Sequence, residues 1–286
     1  MQPRATIIGA GRMGQGLGLA LKRRGYRVIL VNRSQREVIP PLILHQGSRA
    51  EATAGAELVL IATPDDAITE LARELAQDGA IARDQVVLHL SGLLDRRALQ
   101  PLEETGAACG SFHPIQSVAD PASAAERLKG AYVGIEGDER ALVAAERLAN
   151  TLRMVPVRIP AEAKPAYHAA AAFVANYTVA LVGVAERLAR SAGVAPDVAG
   201  KLYLPLLGGA VANLTSLGPA AALTGAVRRG DVQTIQSHLE ALSAEDRELY
   251  RVVGRAAVLL AREAGLNEVA ADRVDAVLSD GVQEPR

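Results

Sequence analysis

From the N-terminus to about residue 160, short apolar runs rich in β-branched residues alternate with segments of helical period. That alternation predicts parallel strands joined by crossover helices. The predicted strands are Thr6–Gly9, Arg27–Val31, Leu58–Ala62, Val86–Leu90, Ala107–Phe112, Tyr132–Ile135 and Met154–Arg158. Between them, Asp66–Gln77 sets Ile68, Leu71 and Leu75 on one stripe, and Glu139–Leu152 forms a second helix. After Pro160 the strand signals stop. Alanine-rich helical periodicity takes over, starting with a long run from about Pro165 to Ala192. The pattern predicts an α/β protein with a doubly wound parallel sheet over residues 1–160 and an all-α domain over 161–286, divided near Ile159–Ala163.

The first predicted strand runs straight into GAGRMG, Gly9 to Gly14, which opens a helix. This is the context a dinucleotide-binding Rossmann-like motif requires. Gly9 permits the tight turn, Gly11 lets backbone approach a pyrophosphate, and Gly14 lets the helix pack close to the strand. The helix N-terminus, with Arg12 and Met13 in its first turn, offers N–H groups to phosphate. The second strand ends in Asn32, Arg33 and Ser34 where an acid commonly binds the ribose of NAD. Asn32 can still bond the ribose without repelling a 2′-phosphate. Arg33 can stack on adenine and meet that phosphate, and Ser34 and Arg36 add a donor and a second cation. We therefore expect NADP.

Composition narrows the classes. Of 286 residues, 49% are hydrophobic and 22% charged, as in ordinary globular chains. The net charge of -1 makes no electrostatic case for nucleic acid or a membrane surface. A single cysteine, Cys109, rules out an intramolecular disulfide, and lying in an apolar strand it reads as a small buried hydrophobe. No apolar run approaches the ~18 residues of a membrane span, and the first strand leaves no room for a signal peptide. The expectation is a cytoplasmic protein without membrane or nucleic-acid partners. The five histidines show no metal-ligand spacing, so no metal is expected. His45 and His238 read as surface residues.

Five motifs, GAGRMG, HLSG (His89–Gly92), SFHPIQS (Ser111–Ser117), KPAYHAAAAFVANY (Lys164–Tyr177) and ALTGAVRRGD (Ala222–Asp231), together resemble a known group. The chain is similar to the 6-phosphogluconate dehydrogenase-like superfamily, whose members include β-hydroxyacid dehydrogenases, ketopantoate reductase, pyrroline-5-carboxylate reductase and deazaflavin-dependent NADP reductases. Within it, the likeness is strongest to Rossmann-like oxidoreductases carrying a C-terminal helical domain of unknown function. The resemblance implies NADP as cofactor. It also implies that the IATPDD loop, with Thr63 and Pro64, lies against the nicotinamide ribose. By residue type alone, Asp65 or Asp66 can cap the helix that follows.

Candidate chemistry gathers where strands end, because ligands bind at the carboxyl edge of such sheets. Ser91 and Gly92 stand after the fourth strand, with His89 reading as a core histidine before them. His113 and Gln116 follow the fifth and could bond an anionic or carbonyl substrate, with Pro114 fixing the loop. Lys164, His168, Ala172 and Asn176 recur every fourth residue, on one face of the long helix, with small residues between. In β-hydroxyacid dehydrogenases, which the chain resembles, the corresponding helix carries a catalytic Lys and an Asn four residues later. Here His168 takes the fourth place and Asn176 the twelfth, so the division of roles among Lys164, His168 and Asn176 stays open. A histidine supplies a proton at neutral pH, which makes His168 the first choice as acid/base. In ALTGAVRRGD, Gly230 ends one helix and Asp231 caps the next. Arg228 and Arg229 read as solvated charges or as carboxylate ligands.

These features lead to an NADP-dependent oxidoreductase moving hydride to or from a small carbonyl, hydroxyl or imine substrate. The alternative is an NADP-binding regulator that does no chemistry. The apolar C-terminal helices exceed what one small domain can hide, so a homodimer through that domain is expected.

Overall fold

The computed structural model describes residues 2–279, which divide into two compact units, one ending at Tyr177 and one beginning at Thr178. The first holds a seven-stranded sheet in the order β2-β1-β3-β4-β5-β6-β7. The strands are β1 (Arg4–Ile8), β2 (Arg27–Val31), β3 (Leu58–Ile61), β4 (Val86–His89), β5 (Ala108–Pro114), β6 (Tyr132–Gly137) and β7 (Val155–Arg158). Helices α1 (Arg12–Arg23), α2 (Asp65–Gln77) and α3 (Glu139–Leu152) connect them, and α4 (Lys164–Ala172) follows the last strand.

Alternation of side chains along each buried strand feeds two cores, one on each face of the sheet. Ile7, Leu30, Leu60, Leu88 and Phe112 point to the face covered by α1 and α3. Ile8, Val31, Ile61, Val87 and Cys109 point to the other, where Ile68, Leu71 and Leu75 of α2 meet them as the sequence periodicity predicts. Leu99 and Leu102 complete that second core from Arg96–Thr105, a 3₁₀ segment with Pro101 inside it. Proline lacks the N–H an α-helix would use there.

All seven predicted strands form, but the sheet is not wholly parallel. β6 runs antiparallel to β5, and β7 follows β6. The connection from Pro114 to Tyr132 returns to the end of the sheet it left: its short helix Ala124–Leu128 packs on α1, and Ile115 N–H donates to the Tyr132 carbonyl, so β6 starts beside the end of β5 and runs back along it. Asp138 then locks the return. Its carboxylate accepts from Cys109 N–H of β5 at 2.6 Å and from Ala141 N–H of α3 at 2.9 Å.

Strand signals end near residue 160, yet the first compact unit continues to Tyr177, because α4 still packs on the sheet. From Ala161 to Ser191 the chain follows one helical path: α4, a π-helical turn at Phe173–Tyr177, and α5 (Thr178–Ser191). Its most apolar stretch has mean hydropathy 1.5, long and apolar enough to cross a membrane by length and composition. This corrects the expectation that no such stretch exists. Tyr167, His168, Asn176 and Thr178 interrupt the apolar run but carry no fixed charge, so the average stays apolar.

The second unit continues with α6 (Pro196–Leu202), α7 (Leu204–Leu217), α8 (Val232–Ala241), α9 (Ala244–Glu263) and α10 (Glu268–Ser279). Its core is Ile235, Leu239, Val258, Ala261, Leu266, Ala271, Val274 and Leu278. As the sequence suggests, Gly230 ends a short helix in the left-handed region and Asp231 caps α8, accepting from Thr234 N–H at 3.1 Å. Arg228 donates to the Ala264 carbonyl at 2.8 Å, and Arg229 lies 3.7 Å from Asp231. Both arginines thus have partners within their own unit.

Replacing Asp138 with Ala removes a helix cap and strands the Cys109 amide in the interior. Urea unfolding should show a loss of about 2–4 kcal/mol, whereas Asp138→Asn, which keeps an acceptor, should recover at least half of it.

Candidate active site

The glycine motif is held by contacts that admit no larger residue at two places. A Cβ on Gly9, whose φ is +114°, would stand 2.5 Å from the Ala62 carbonyl oxygen, and one on Gly14 would stand 2.0 Å from the Gly9 carbonyl oxygen. A Cβ on Gly11 would meet nothing within 4 Å. Gly9 and Gly14 therefore close β1 against α1 and the loop after β3, while Gly11 borders open space. The first turn of α1 has neither a side-chain cap nor an acid, which leaves its amides to an anion.

Asn32 follows β2 and accepts from Ala10 N–H at 3.2 Å through Oδ1, while its Nδ2 donates to the Ser34 carbonyl at 2.9 Å. The residue expected to bond a ribose also ties the glycine loop to the following turn. Arg33, Ser34 and Arg36 are exposed, and neither arginine has an ion-pair partner among the described residues. Gln15, which sequence reasoning passed over, is buried in α1. It donates to the Ala10 carbonyl and accepts from Ile39 N–H, joining the loops after β1 and β2. A glutamine within a helix gives no sign of this.

Pro64, not Asp65 or Asp66, is the N-cap of α2, and it makes no side-chain cap. The helix starts one residue earlier than the pattern predicts, placing both acids in its first turn, where they face its positive end. Asp65 accepts instead from Ser91 Oγ at 2.8 Å. The same Ser91 oxygen accepts from Leu93 and Leu94 N–H groups at 3.1 and 2.9 Å, so Ser91 organises the loop after β4. Thr63 Oγ1, in the loop after β3, is buried without a hydrogen-bond partner. Open space at Gly11, uncapped amides of α1, unpaired Arg33 and Arg36 and the orphan Thr63 hydroxyl together fit a dinucleotide phosphate.

Beyond Ser91 the edge carries two histidines. His113 sits one residue before the end of β5, opposite Gly134 of β6, and His168 comes from α4. Their ring centroids are 5.6 Å apart, and both rest on Gly92, where a Cβ would stand 2.5 Å from His168 Nδ1 and 2.7 Å from His113 Cε1. His168 Nδ1 is buried and unpartnered. The Nε2 atoms of both rings make no hydrogen bond within the described protein and are not sealed from solvent. Burial, then the neighbouring His168 and Lys164, lowers the His113 pKa to about 4, so its ring is neutral at physiological pH. His113 is thus a hydrogen-bond donor or acceptor and not a resting cation.

Lys164 is 1% exposed. Its Nζ donates to Ser111 Oγ at 2.8 Å and to the Ser91 carbonyl at 3.3 Å, which pins the start of α4 onto the middle of β5 and the loop after β4. Burial lowers its pKa against the opposing pull of Glu136, Asp95 and Asp65. Asn176 is not brought to this cluster. It is exposed on the π-helical turn, where the wider winding breaks the four-residue alignment that the sequence implies. Twelve residues also carry it about 18 Å along the helix. Gln116 bonds its own loop, donating to the Arg127 carbonyl and accepting from Ser117 N–H, both at 2.9 Å.

His89 is fully buried with Nε2 at 3.0 Å from the Asp95 carbonyl, and burial lowers its pKa to about 4. Cys109 is buried and its thiol is pushed up to about 12, chiefly by burial, as suits an inert residue. His45 is half-buried 3.5 Å from Glu51, which corrects its reading as a surface residue; His238 is exposed beside Tyr250. Among the described residues no group of three or more His, Cys, Asp or Glu side chains stands together as a metal site.

With the geometry in hand, comparison with known proteins places the two parts of the chain. A family model described as a Rossmann-like domain matches residues 2–114, and one described as a domain of unknown function (DUF2520) matches residues 131–257. No curated protein matches the chain. Among solved structures, it is similar to a candidate NADP oxidoreductase from Bacteroides fragilis at 23% identity and TM-score 0.70, over 92% of this chain and 98% of that one. Pyrroline carboxylate reductase from Plasmodium falciparum, solved with NADP bound, is similar at 12% identity and TM-score 0.60, over 98% and 100%. Imine reductase from Myxococcus stipitatus, in complex with NADP+, matches at 20% identity and TM-score 0.56, over 98% and 94%. At these identities the likeness establishes the fold.

Proposed function

We propose that the protein is a cytoplasmic NADP-dependent oxidoreductase of the 6-phosphogluconate dehydrogenase-like superfamily, acting on a small carbonyl, hydroxyl or imine substrate. One observation carries the reading. Contacts run without a break along the sheet edge from the phosphate-type loop to the paired histidines. Gly9 packs on Ala62, the next residues lead to Asp65, Asp65 holds Ser91, and Gly92 lies beneath His113 and His168. A nicotinamide bound along such an edge supplies or takes the hydride at carbon. The chain must then supply or take the proton at the heteroatom.

His168 is the acid/base in this reading. Its Nε2 is open, and it stands beside a neutral His113 that can hold the substrate. Lys164 is second choice, because its ammonium is already bonded to Ser111 and Ser91. Wild-type protein should oxidise NADPH against a panel of carbonyl and imine compounds. His168→Ala should lower turnover roughly 10²- to 10⁴-fold with NADPH affinity nearly unchanged. No turnover with any substrate class, alongside tight NADPH binding, would favour the regulator instead.

Cofactor choice rests on Arg33, Ser34 and Arg36, exposed beside Asn32. The double substitution Asn32→Asp with Arg33→Ala should weaken NADPH binding roughly ten- to hundredfold, about 1.5–3 kcal/mol for a lost charged contact. NAD binding should hold or improve. Equal NADPH affinity in the two proteins, by fluorescence titration, would refute the assignment.

A homodimer through the helical unit completes the proposal. Helix α7 has no buried residue, and Leu206, Val211 and Leu217 are 71%, 54% and 57% exposed. Apolar surface of that kind marks an interface. Light scattering at micromolar concentration should give twice the chain mass; a monomer mass would rule the dimer out.

A further inference from the structure

Tyr167 has no part in the reading above, yet its phenol completes the surroundings of His113. Tyr167 Oη and His113 Nδ1 lie 2.8 Å apart, and the rings meet edge to face at 84°. The fold makes room for this contact: a Cβ on Gly134 would stand 2.4 Å from Tyr167 Oη, so β6 carries glycine where the phenol lies. Burial pushes the Tyr167 pKa up to about 12, and that of His113 is down at about 4. At neutral pH the pair is therefore an intact phenol and a neutral imidazole with one N–H.

Two arrangements of those hydrogens are conceivable. His113 Nδ1 is the only hydrogen-bond partner of the Tyr167 hydroxyl among the described side chains. Were Nδ1 protonated, the phenol hydrogen would be left to solvent, since no other side chain or backbone carbonyl among the described residues accepts from Tyr167 Oη. With Nδ1 bare, the phenol donates and both groups are satisfied.

We propose that Tyr167 is a positioning residue whose O–H donates to His113 Nδ1, holding that ring as the Nε2–H tautomer with its N–H turned outward as a donor to substrate. The second nitrogen of a histidine commonly sets what the first can do. An Nε2–H donor recognises a lone pair. A carbonyl or hydroxyl oxygen has one to offer, whereas a protonated iminium nitrogen has none. His113 then orients a carbonyl compound or its alcohol and does not supply the proton, since a neutral ring that gave up its N–H would become an imidazolate. The proton is left to His168. The substrate side of this inference rests on the hydride-transfer reading; the tautomer does not.

The test is long-range ¹H–¹⁵N correlation on the full chain with labelled histidine at pH 7. The His113 signals are identified by their loss in His113→Gln. Wild type should show His113 protonated on Nε2 and bare on Nδ1, and Tyr167→Phe should show both tautomers. A wild-type His113 protonated on Nδ1, or a tautomer unchanged in Tyr167→Phe, overturns the proposal. If Tyr167→Phe does not fold, the wild-type spectrum decides alone. The measurement needs neither cofactor nor substrate. Failure to oxidise NADPH would therefore leave its result intact, and a wrong tautomer in an active enzyme would sink this proposal only.

Discussion

An ammonium group taken almost wholly out of water must find oxygen, because a buried charge left unbonded costs several kcal/mol. Lys164 finds it at Ser111 Oγ within β5 and at the Ser91 carbonyl in the loop after the neighbouring β4. That requirement fixes where α4 begins and how it is turned. Once the first residue of the helix is pinned, Tyr167 and His168 follow three and four positions later on the same side. The contacts of His113 with both, and the packing of both histidines over Gly92, depend on the same pin.

The sheet supplies the rest through one change of direction. Because β6 returns antiparallel to β5, Gly134 stands opposite His113, and the phenol of Tyr167 occupies the space its missing side chain leaves. Hydrogen bonds accepted by the Asp138 carboxylate hold the returning strand in register by tying β5 to the start of α3. A crossover connection in the usual parallel sense would put another strand and another residue beside His113. On the opposite half of the edge, Asn32 and Gln15 fasten the loops after β1 and β2 to one another, and Gly9 and Gly14 close β1 and α1 on the loop after β3. The Asp65–Ser91 hydrogen bond then links the loops after β3 and β4. Polar side chains thus knit the carboxyl edge together, while apolar ones fill both faces.

Elements whose signals are local were legible in the amino-acid order. All seven strands, the stripe of α2, the αL glycine ending the helix before α8, and the glycine turn before α1 follow from periodicity and backbone sterics, which act over a few residues. So does the choice of His89 and Cys109 as core residues, since each sits inside an apolar run. Lys164, His168, His113, Ser91 and Gly92 were all visible as candidates, because strand ends and a polar helix face are written in the local pattern.

What the local pattern could not carry was pairing and winding. The reversal of β6 depends on whether a seventeen-residue connection crosses the sheet, a matter of where Ile115 and Tyr132 find hydrogen bonds and not of either residue's type. Regular spacing put Asn176 in line with Lys164 and His168, but a single π-helical turn removed it, since five residues of wider winding shift every later side chain. Tyr167, Gln15 and Asp138 look ordinary in sequence because their partners lie 54, 24 and 29 residues away. Backbone preference and hydrophobic period act between near neighbours, and they determined the elements and the candidate residues. Burial and hydrogen bonding act between residues distant in the chain, and only the folded structure decided which candidates meet.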